Sequence, residues 1–306
     1  MSFHVIFAEE TKEFSTTPLL MYEYLQLEEQ KIHSSGTGII FSKGNMLPPL
    51  TEERSSLLLV GMYNQFYVME SRDDYKDLYH DIKLFAEKKS KQHLFLGVLN
   101  TRAAEPFYGG FHTFTVGTGY AYEFIRNDNI SFYLGAGFIV SDFGLEFCDG
   151  KTWPIIPLPL VRFDLETSLL NFSFQLADAI AIYFTFLPES KVRFTSSLYT
   201  EPLDIRNIRD VYFDAALWYR FFSKESKMGD FMGIGLGINS KGFSFDLLEK
   251  NKTYEVNYFS VYGIWDISFL KLSAGYMFKG REIFDWDRIN NLGNGFFIST
   301  TLGWQF

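Results

Sequence analysis

The last twelve residues of the chain, 295–306, alternate between apolar side chains and small or polar ones. The even-numbered positions are apolar except for Thr300: Phe296, Ile298, Leu302, Trp304 and Phe306. The odd-numbered positions are small or polar except for Phe297: Gly295, Ser299, Thr301, Gly303 and Gln305. A period of two places successive side chains on opposite faces of a β-strand. The segment is therefore predicted to be a strand with one apolar face and one wet face.

The same alternation recurs along most of the chain from residue 92 onward. It is clearest in residues 111–124, where Phe114, Tyr120 and Phe124 share one parity and glycine, threonine and alanine dominate the other. Further alternating segments are 130–140, 157–165, 170–176, 180–186, 193–198, 211–221, 232–238, 254–265 and 268–279. In a soluble sandwich the glycine-rich face would meet water, where glycine weakens a strand without compensation. In a membrane barrel the apolar face meets lipid and the small face lines the interior.

No segment of the sequence qualifies as a membrane-spanning helix. The longest segment without a charged residue, 289–306, is rich in asparagine, glycine, serine and threonine. A chain that crosses a membrane without such helices does so as a closed barrel. Aromatic residues make up 19% of the chain, with 34 Phe and 18 Tyr, an excess that the aromatic girdles at both membrane interfaces would use.

The chain ends on an aromatic residue, Phe306, with Trp304 two places earlier. This ending and the repeated alternation resemble those of bacterial outer-membrane β-barrel proteins, whose closing strand is recognised by the barrel-assembly machinery. The resemblance implies a location in the bacterial outer membrane, contact with outer-membrane lipid, and an assembly signal at Trp304 and Phe306.

The expected fold is all-β: a closed antiparallel transmembrane β-barrel that forms a single domain over residues 9–306. Fifteen segments have strand character, but an antiparallel barrel with both termini on one side needs an even number. Fourteen strands are therefore predicted, with twelve and sixteen left open. Residues 1–8 resemble the truncated end of a secretory signal peptide, and an ordinary frayed terminus is the alternative.

Three segments are predicted to depart from the regular pattern. Residues 30–54 contain Gly36, Gly38 and two prolines and are predicted to form a long loop with one short strand at 38–41. Residues 73–88 carry apolar side chains at helical spacing and are predicted to form a short amphipathic helix on the rim or in the lumen. Residues 243–248 are interpreted as a short separate strand.

The sequence gives little support for catalysis, metal binding or a cofactor. No two of the five histidines are four residues apart, the spacing that metal sites on helices use. His33 and Ser34 are adjacent, so on a strand they would point to opposite faces and could not form a dyad. Gly233, Gly235 and Gly237 lie within an alternating strand, so they are interpreted as inner-face residues where the wall is crowded, and not as a phosphate loop. The net charge of −9 argues against nucleic acid.

Several ionisable residues occupy the positions that alternate with the apolar ones along the predicted strands. They are Glu123, Arg162, Asp164, Arg193, Asp214, Arg220 and Lys271. An arginine or lysine facing lipid at the midplane would cost about 2 to 4 kcal/mol, so these residues are predicted to face the lumen. They would either set the field of an open pore or join the walls of a closed interior as ion pairs.

A porin-like or transport channel for small solutes is the leading functional interpretation, without enzymatic activity. A closed barrel that serves as a surface-interaction or structural protein is the alternative, and a lipid-modifying barrel enzyme is a distant third.

Overall fold

The computed structural model describes residues 14–43, 55–69, 77–108, 113–140, 155–177, 179–200, 211–221, 232–247, 253–267, 269–284 and 288–303. These residues form a closed barrel in which each strand pairs antiparallel with its neighbours in sequence and β1 pairs with β16. The strands are β1 Phe14–Leu27, β2 Lys31–Lys43, β3 Ser55–Met69, β4 Leu78–Ser90, β5 His93–Ala103, β6 Phe114–Arg126, β7 Ile130–Val140, β8 Ile155–Glu166, β9 Leu170–Leu176, β10 Ile180–Phe186, β11 Val192–Thr200, β12 Val211–Arg220, β13 Met232–Asp246, β14 Thr253–Ile267, β15 Leu270–Phe284 and β16 Arg288–Gly303.

The all-β closed barrel is confirmed, but the predicted strand count of fourteen is wrong, because the barrel has sixteen strands. Residues 31–43 of the predicted loop form β2, which pairs with β1 and β3 over its whole length. The predicted helix at 73–88 is also wrong: residues 78–88 belong to β4, and residues 73–76 lie outside the described ranges. Residues 243–246 continue β13 without a break, so the predicted separate strand does not exist.

No helix among the described residues is long and apolar enough to cross a membrane.

Alternation along the strands gives the barrel an apolar outer face. Leu236 is 72% exposed on β13, whereas its neighbours Gly235 and Gly237 are buried. Tyr120 on β6 is likewise exposed, whereas Gly117, on the opposite face of the same strand, is buried. A closed barrel with an apolar exterior can present its outer surface to lipid.

Tyrosine and histidine pairs lie on the outer face near both ends of the barrel. We call the end at which β1 begins and β16 ends the terminal end, and the opposite one the distal end. His33 and His80 lie near the distal end, with Nδ1 atoms 3.1 Å and 2.9 Å from the hydroxyl oxygens of Tyr22 and Tyr63. His93 lies near the terminal end, where the corresponding distance to a tyrosine hydroxyl is 2.8 Å. Amphipathic rings at two levels are typical of the membrane interfaces of a barrel.

Near the distal end, aromatic side chains connect opposite walls through the lumen. We call this cluster the aromatic bridge; its members are Phe66, Tyr79, Phe243, Phe245, Tyr254 and Phe284. The ring of Phe245 on β13 lies 5.0 Å from that of Phe66 on β3 and 4.7 Å from that of Tyr79 on β4. The backbones of β5 and β13 also meet here, at Ala103 and Asp246. The distal end is thereby divided into two lobes.

The smaller lobe, formed by β14–β16 and β1–β4, is packed with apolar side chains. Leu25, Ile32, Val68, Val256 and Met277 are all fully buried. Burial of this kind stabilises the barrel as a soluble core stabilises a globular domain, since each such side chain contributes about 1.5 to 3 kcal/mol. The larger lobe, bounded by β5–β13, has a different lining.

Candidate functional site

The inner wall of the larger lobe is polar where β9, β10 and β11 form it. These strands turn asparagine, serine, glutamine, tyrosine and threonine side chains inward: Asn171, Ser173, Gln175, Tyr183, Thr185, Thr195, Ser197 and Tyr199. Those on β9 and β10 are half-buried, in contrast to the fully buried side chains of the smaller lobe. Partial exposure of polar groups on an inner wall indicates a wet lumen on this side.

One flank of this polar wall carries a group of charges that we call the Arg162 cluster: Glu87, Lys89, Glu123, Arg162 and Asp164. Arg162 Nε donates to Asp164 Oδ2 at 2.8 Å, and its Nη1 lies 3.3 Å from Glu87 Oε2. Glu87 is on β4 and Arg162 on β8, with three strands between them, so this ion pair crosses the interior. Ser173 Oγ donates to Asp164 Oδ1 at 2.6 Å and holds that carboxylate in place.

Glu123 is the most deeply buried member of the cluster. Its side chain has 0% exposure, and its carboxylate oxygens lie 3.9 Å from Lys89 Nζ and 3.9 Å from Arg126 Nη1. Lys89 Nζ also lies 4.9 Å from the centre of the Tyr133 ring. Two cations around this buried carboxylate compensate its charge, as a buried charge requires.

The other flank carries the Trp218 cluster: Arg193, Asp214, Trp218, Tyr262 and Lys271. The indole ring of Trp218 lies 5.5 Å from the Arg193 guanidinium carbon and 5.9 Å from Lys271 Nζ, and its Nε1 donates to Thr195 Oγ1 at 3.0 Å. Tyr262 donates its hydroxyl hydrogen to the Asp214 carboxylate, at 2.7 Å from Oδ1.

Inner-face glycines of β13 make room for the Trp218 cluster. A Cβ at Gly237 would lie 2.5 Å from Cζ of Tyr262, and a Cβ at Gly235 would lie 3.1 Å from the Trp218 ring. The first distance is shorter than real side chains allow, so Gly237 is required where the Tyr262 ring crosses its strand.

The structure places all seven predicted ionisable residues on described strands, and it separates them into two groups. Glu123, Arg162 and Asp164 belong to the Arg162 cluster, and Arg193, Asp214 and Lys271 to the Trp218 cluster. Arg220 is half-buried at the last position of β12. The assembly-signal candidates, Trp304 and Phe306, lie outside the described residues.

Sequence reasoning missed Glu87, which fell within the predicted helix, and Lys89, which directly follows it. A period-two signal was present there: Asp81, Lys83, Phe85, Glu87 and Lys89 alternate with His80, Ile82, Leu84 and Ala86. Two further ion pairs were missed, Arg102 with Asp81 at 3.3 Å and Lys241 with Glu23 at 3.0 Å.

The described part of the chain holds no group of three or more histidine, cysteine, aspartate or glutamate side chains that could bind a metal ion. His33 lies on the outer face and Ser34 is buried on the inner face of β2, so the two do not form a dyad. The described inner wall presents fixed charges and hydrogen-bonding groups.

No family model matches this chain, and no curated protein is similar to it. Among solved structures, the chain is similar to OccAB3 of Acinetobacter baumannii, at 8% identity and a TM-score of 0.41, over 96% of this chain and 99% of that one. OpdK of Pseudomonas aeruginosa, solved with vanillate, gives 8% identity and a TM-score of 0.36 over 96% and 99% of the two chains. OccK5 (OpdH) of the same organism is 12% identical, with a TM-score of 0.34, over 95% of this chain and 98% of that one. At TM-scores below 0.5 these similarities carry no argument about the function of this chain.

Proposed function

We propose that the chain is a channel for small solutes in the bacterial outer membrane, with the aqueous pathway in the larger lobe. The observation that carries the proposal is the contrast between the two lobes. The smaller lobe is packed mostly with buried apolar side chains, whereas the inner wall at β9–β11 is polar, is half-buried on β9 and β10, and has charges on both flanks. Sixteen-stranded barrels are wide enough to hold an aqueous channel.

The apolar outer face, the two levels of tyrosine and histidine, and the closed sheet support a location in a membrane. The even strand number places the start of β1 and the end of β16 at the terminal end, which would face the periplasm, as it does in barrels of this kind. The distal end with its aromatic bridge would then face outward. The same reasoning implies contact with outer-membrane lipid and delivery by the barrel-assembly machinery.

Charges of both signs on the two flanks suit small polar or ionic solutes that move through water. The Arg162 and Trp218 clusters each combine cations with carboxylates, so the wall would orient a solute carrying a dipole or a charge. The field of each cluster acts over about 10 Å at 0.1 M salt.

A closed barrel that acts as a structural or surface-interaction protein is the second candidate. It is favoured by the aromatic bridge and by the ion pair between Glu87 and Arg162, both of which connect opposite walls through the interior. Such contacts could fill the lumen completely.

Conductance across planar lipid bilayers separates the two candidates. Purified full-length protein should produce discrete current steps if the larger lobe is open. Absence of steps under conditions where the protein is folded and inserted would rule out the channel and favour the closed barrel.

A further inference from the structure

The outer face of β1–β4 is polar near the distal end of the barrel. The strand register places three rows of side chains there, each running from β1 to β4: Tyr24, His33, Tyr67 and Leu78; Tyr22, Ser35, Gln65 and His80; Leu20, Thr37, Tyr63 and Ile82. Near the distal ends of β7 and β8, by contrast, the exposed outer side chains are Phe138 and Ile155. The polar side chains at this level therefore distinguish β1–β4 from β7 and β8.

Small side chains on β2 lie between larger ones on its two neighbours. Ser35 and Thr37 are exposed and form a floor, with Tyr22 of β1 on one side and Tyr63 and Gln65 of β3 on the other. β1 and β3 are two strand spacings apart, about 9.5 Å. We call this depression, formed by these five residues, the hydroxyl trough. Tyr22 is 45% exposed, so the trough is open to the outside of the barrel.

Hydrogen bonds hold both walls of the hydroxyl trough in place. The Tyr22 hydroxyl oxygen lies 3.1 Å from His33 Nδ1. On the other side, Gln65 Nε2 donates to the Tyr63 hydroxyl at 2.6 Å, and that hydroxyl oxygen lies 2.9 Å from His80 Nδ1. The walls are thereby fixed before any ligand binds, which lowers the cost of binding in lost side-chain freedom.

The floor of the hydroxyl trough offers hydrogen-bonding groups that the protein does not use. Within the described part of the chain, the hydroxyls of Ser35 and Thr37 have no hydrogen-bond partner. Each hydroxyl can donate one hydrogen bond and accept two. Unpaired polar groups are costly against lipid chains, so this floor indicates a polar neighbour outside the barrel.

The hydroxyl trough borders the apolar band of the outer face on its distal side. On β4, His80 of the polar rows and Lys88 nearer the terminal end bracket a segment whose outer residues are Ile82, Leu84 and Ala86. Eight residues cover about 26 Å of strand, or about 20 Å of height at a barrel tilt of about 40°, close to the apolar band of about 25 Å in such barrels. The trough would therefore lie at the level of the lipid headgroups.

The chemistry of the hydroxyl trough fits an uncharged group that is rich in hydroxyls. Its floor and walls contain no aspartate, glutamate, lysine or arginine, whereas phosphate and carboxylate groups are bound by charge-assisted hydrogen bonds. Beyond it, at the β1–β2 turn, Glu28, Glu29 and Lys31 together carry one net negative charge, which disfavours an anion. Sugar rings present C–H groups that pack on the negative face of an aromatic ring, and hydroxyls that pair with other hydroxyls.

We propose that the hydroxyl trough binds a sugar residue in the headgroup of a glycolipid of the outward leaflet. The sugar ring packs against the tyrosine walls, its hydroxyls pair with Ser35 and Thr37, and the lipid chains lie on the apolar outer face nearer the terminal end. This inference rests on the proposed location and orientation of the barrel, and it adds a lipid site on the outer wall to the aqueous pathway inside.

Native mass spectrometry of the intact protein tests the site. The full chain is refolded into micelles that contain equal amounts of digalactosyl diacylglycerol and of phosphatidylcholine with the same acyl chains. We expect the barrel to retain one glycolipid in several-fold excess over phosphatidylcholine. Equal retention of the two lipids, or an excess of phosphatidylcholine, would overturn the proposal. A dimer of the chain without glycolipid would also overturn it, because this face would then be a contact between two copies.

Two matched pairs of variants separate recognition in the trough from general contact with lipid. Thr37→Val removes a floor hydroxyl with little change in shape and should lower the glycolipid excess several-fold, whereas Thr118→Val makes the same change at an exposed position of β6 and should not. Tyr22→Leu removes a wall and should have the same effect as Thr37→Val. Its control is Tyr120→Leu, at the outer tyrosine paired with His93 near the terminal end. Loss of the excess in both members of a pair, or in neither, would contradict the site.

Conductance measured on the same preparation distinguishes this inference from the proposed channel. Current steps without a glycolipid preference would leave the aqueous channel in place and eliminate the site. A glycolipid preference without current steps would support the site and eliminate the aqueous channel.

Discussion

Replacing Arg162 with glutamine should change the ion preference of the channel. The substitution removes one positive charge from a guanidinium that lies 2.8 Å from Asp164 and 3.3 Å from Glu87, and it leaves both carboxylates facing the larger lobe. An ion passing at about 4 Å in water would feel a change of about 1 kcal/mol without screening, and about 0.7 kcal/mol at 0.1 M salt. A cation at this site becomes more stable by this amount and an anion less stable by the same amount. The ratio of cation to anion permeability should therefore rise about 10-fold.

Salt should weaken this effect in a calculable way. At 1 M salt the screening length falls to about 3 Å, so the same substitution should change the permeability ratio only about 2-fold. The measurement is the reversal potential of potassium chloride gradients across planar bilayers, at low and high mean concentration. Lys88→Gln is the control, because it removes one positive charge from an exposed position on the outer face of β4, and we expect no shift in the reversal potential.

One result would refute the reasoning directly. If the lumen is closed at this level, Arg162→Gln leaves two carboxylates unpaired inside a packed wall, and the free energy of unfolding should fall by about 3 to 5 kcal/mol. An unchanged reversal potential with a loss of that size, measured by urea unfolding of the refolded barrel, would show that Arg162 stabilises the wall and does not act on permeating ions.

The remaining predictions concern the aromatic bridge, the buried carboxylate and the chain end. Phe245→Ala should lower the free energy of unfolding by about 3 to 5 kcal/mol and increase single-channel conductance, because the aromatic bridge loses its central ring; Phe259→Ala on the outer face should not change conductance. Glu123→Gln removes the charge between Lys89 and Arg126 and should cost about 3 kcal/mol of stability in urea at an unchanged m-value. Phe306→Ser should reduce the yield of protein in the outer membrane of cells more than it reduces refolding into detergent; equal losses in both assays would indicate a purely structural role.

The faces of most strands could be predicted from the sequence, because the side-chain period of two is read directly from residues such as Leu236 and its glycine neighbours. The number of strands could not be predicted, because apolar and polar side chains do not alternate regularly in β2 and β4. β2 has serine and glycine on its inner face and two consecutive isoleucines, 39 and 40, at its centre. In β4 the apolar residues Leu78, Tyr79, Ile82 and Phe85 happen to fit a helix as well as a strand, because inward apolar residues interrupt the charged row.

The charges of the candidate site were predictable individually, but their partners were not. Arg162 and Glu87 are 75 residues apart, and which side chains meet inside a barrel depends on the number of strands and on their stagger. Neither quantity is encoded in the alternation of a single strand. Serine, threonine and glutamine alternate with apolar residues along β9–β11, but the alternation does not give the exposure of these polar side chains in the folded barrel.

The segment around Pro157 and Pro159 shows how a local pattern can report on a distant boundary. A strand inside a closed sheet pairs on both sides, and two prolines at alternate positions remove two consecutive donors from one side. A closed barrel avoids free edges, so prolines spaced in this way indicate that the neighbouring strand has already ended. Where it ends is set elsewhere, by the hairpin at residues 177–179, which turns the chain back after seven residues of β9. The prolines and the short hairpin agree with each other, because residues 155–160 of β8 have no strand partner on the β9 side among the described residues.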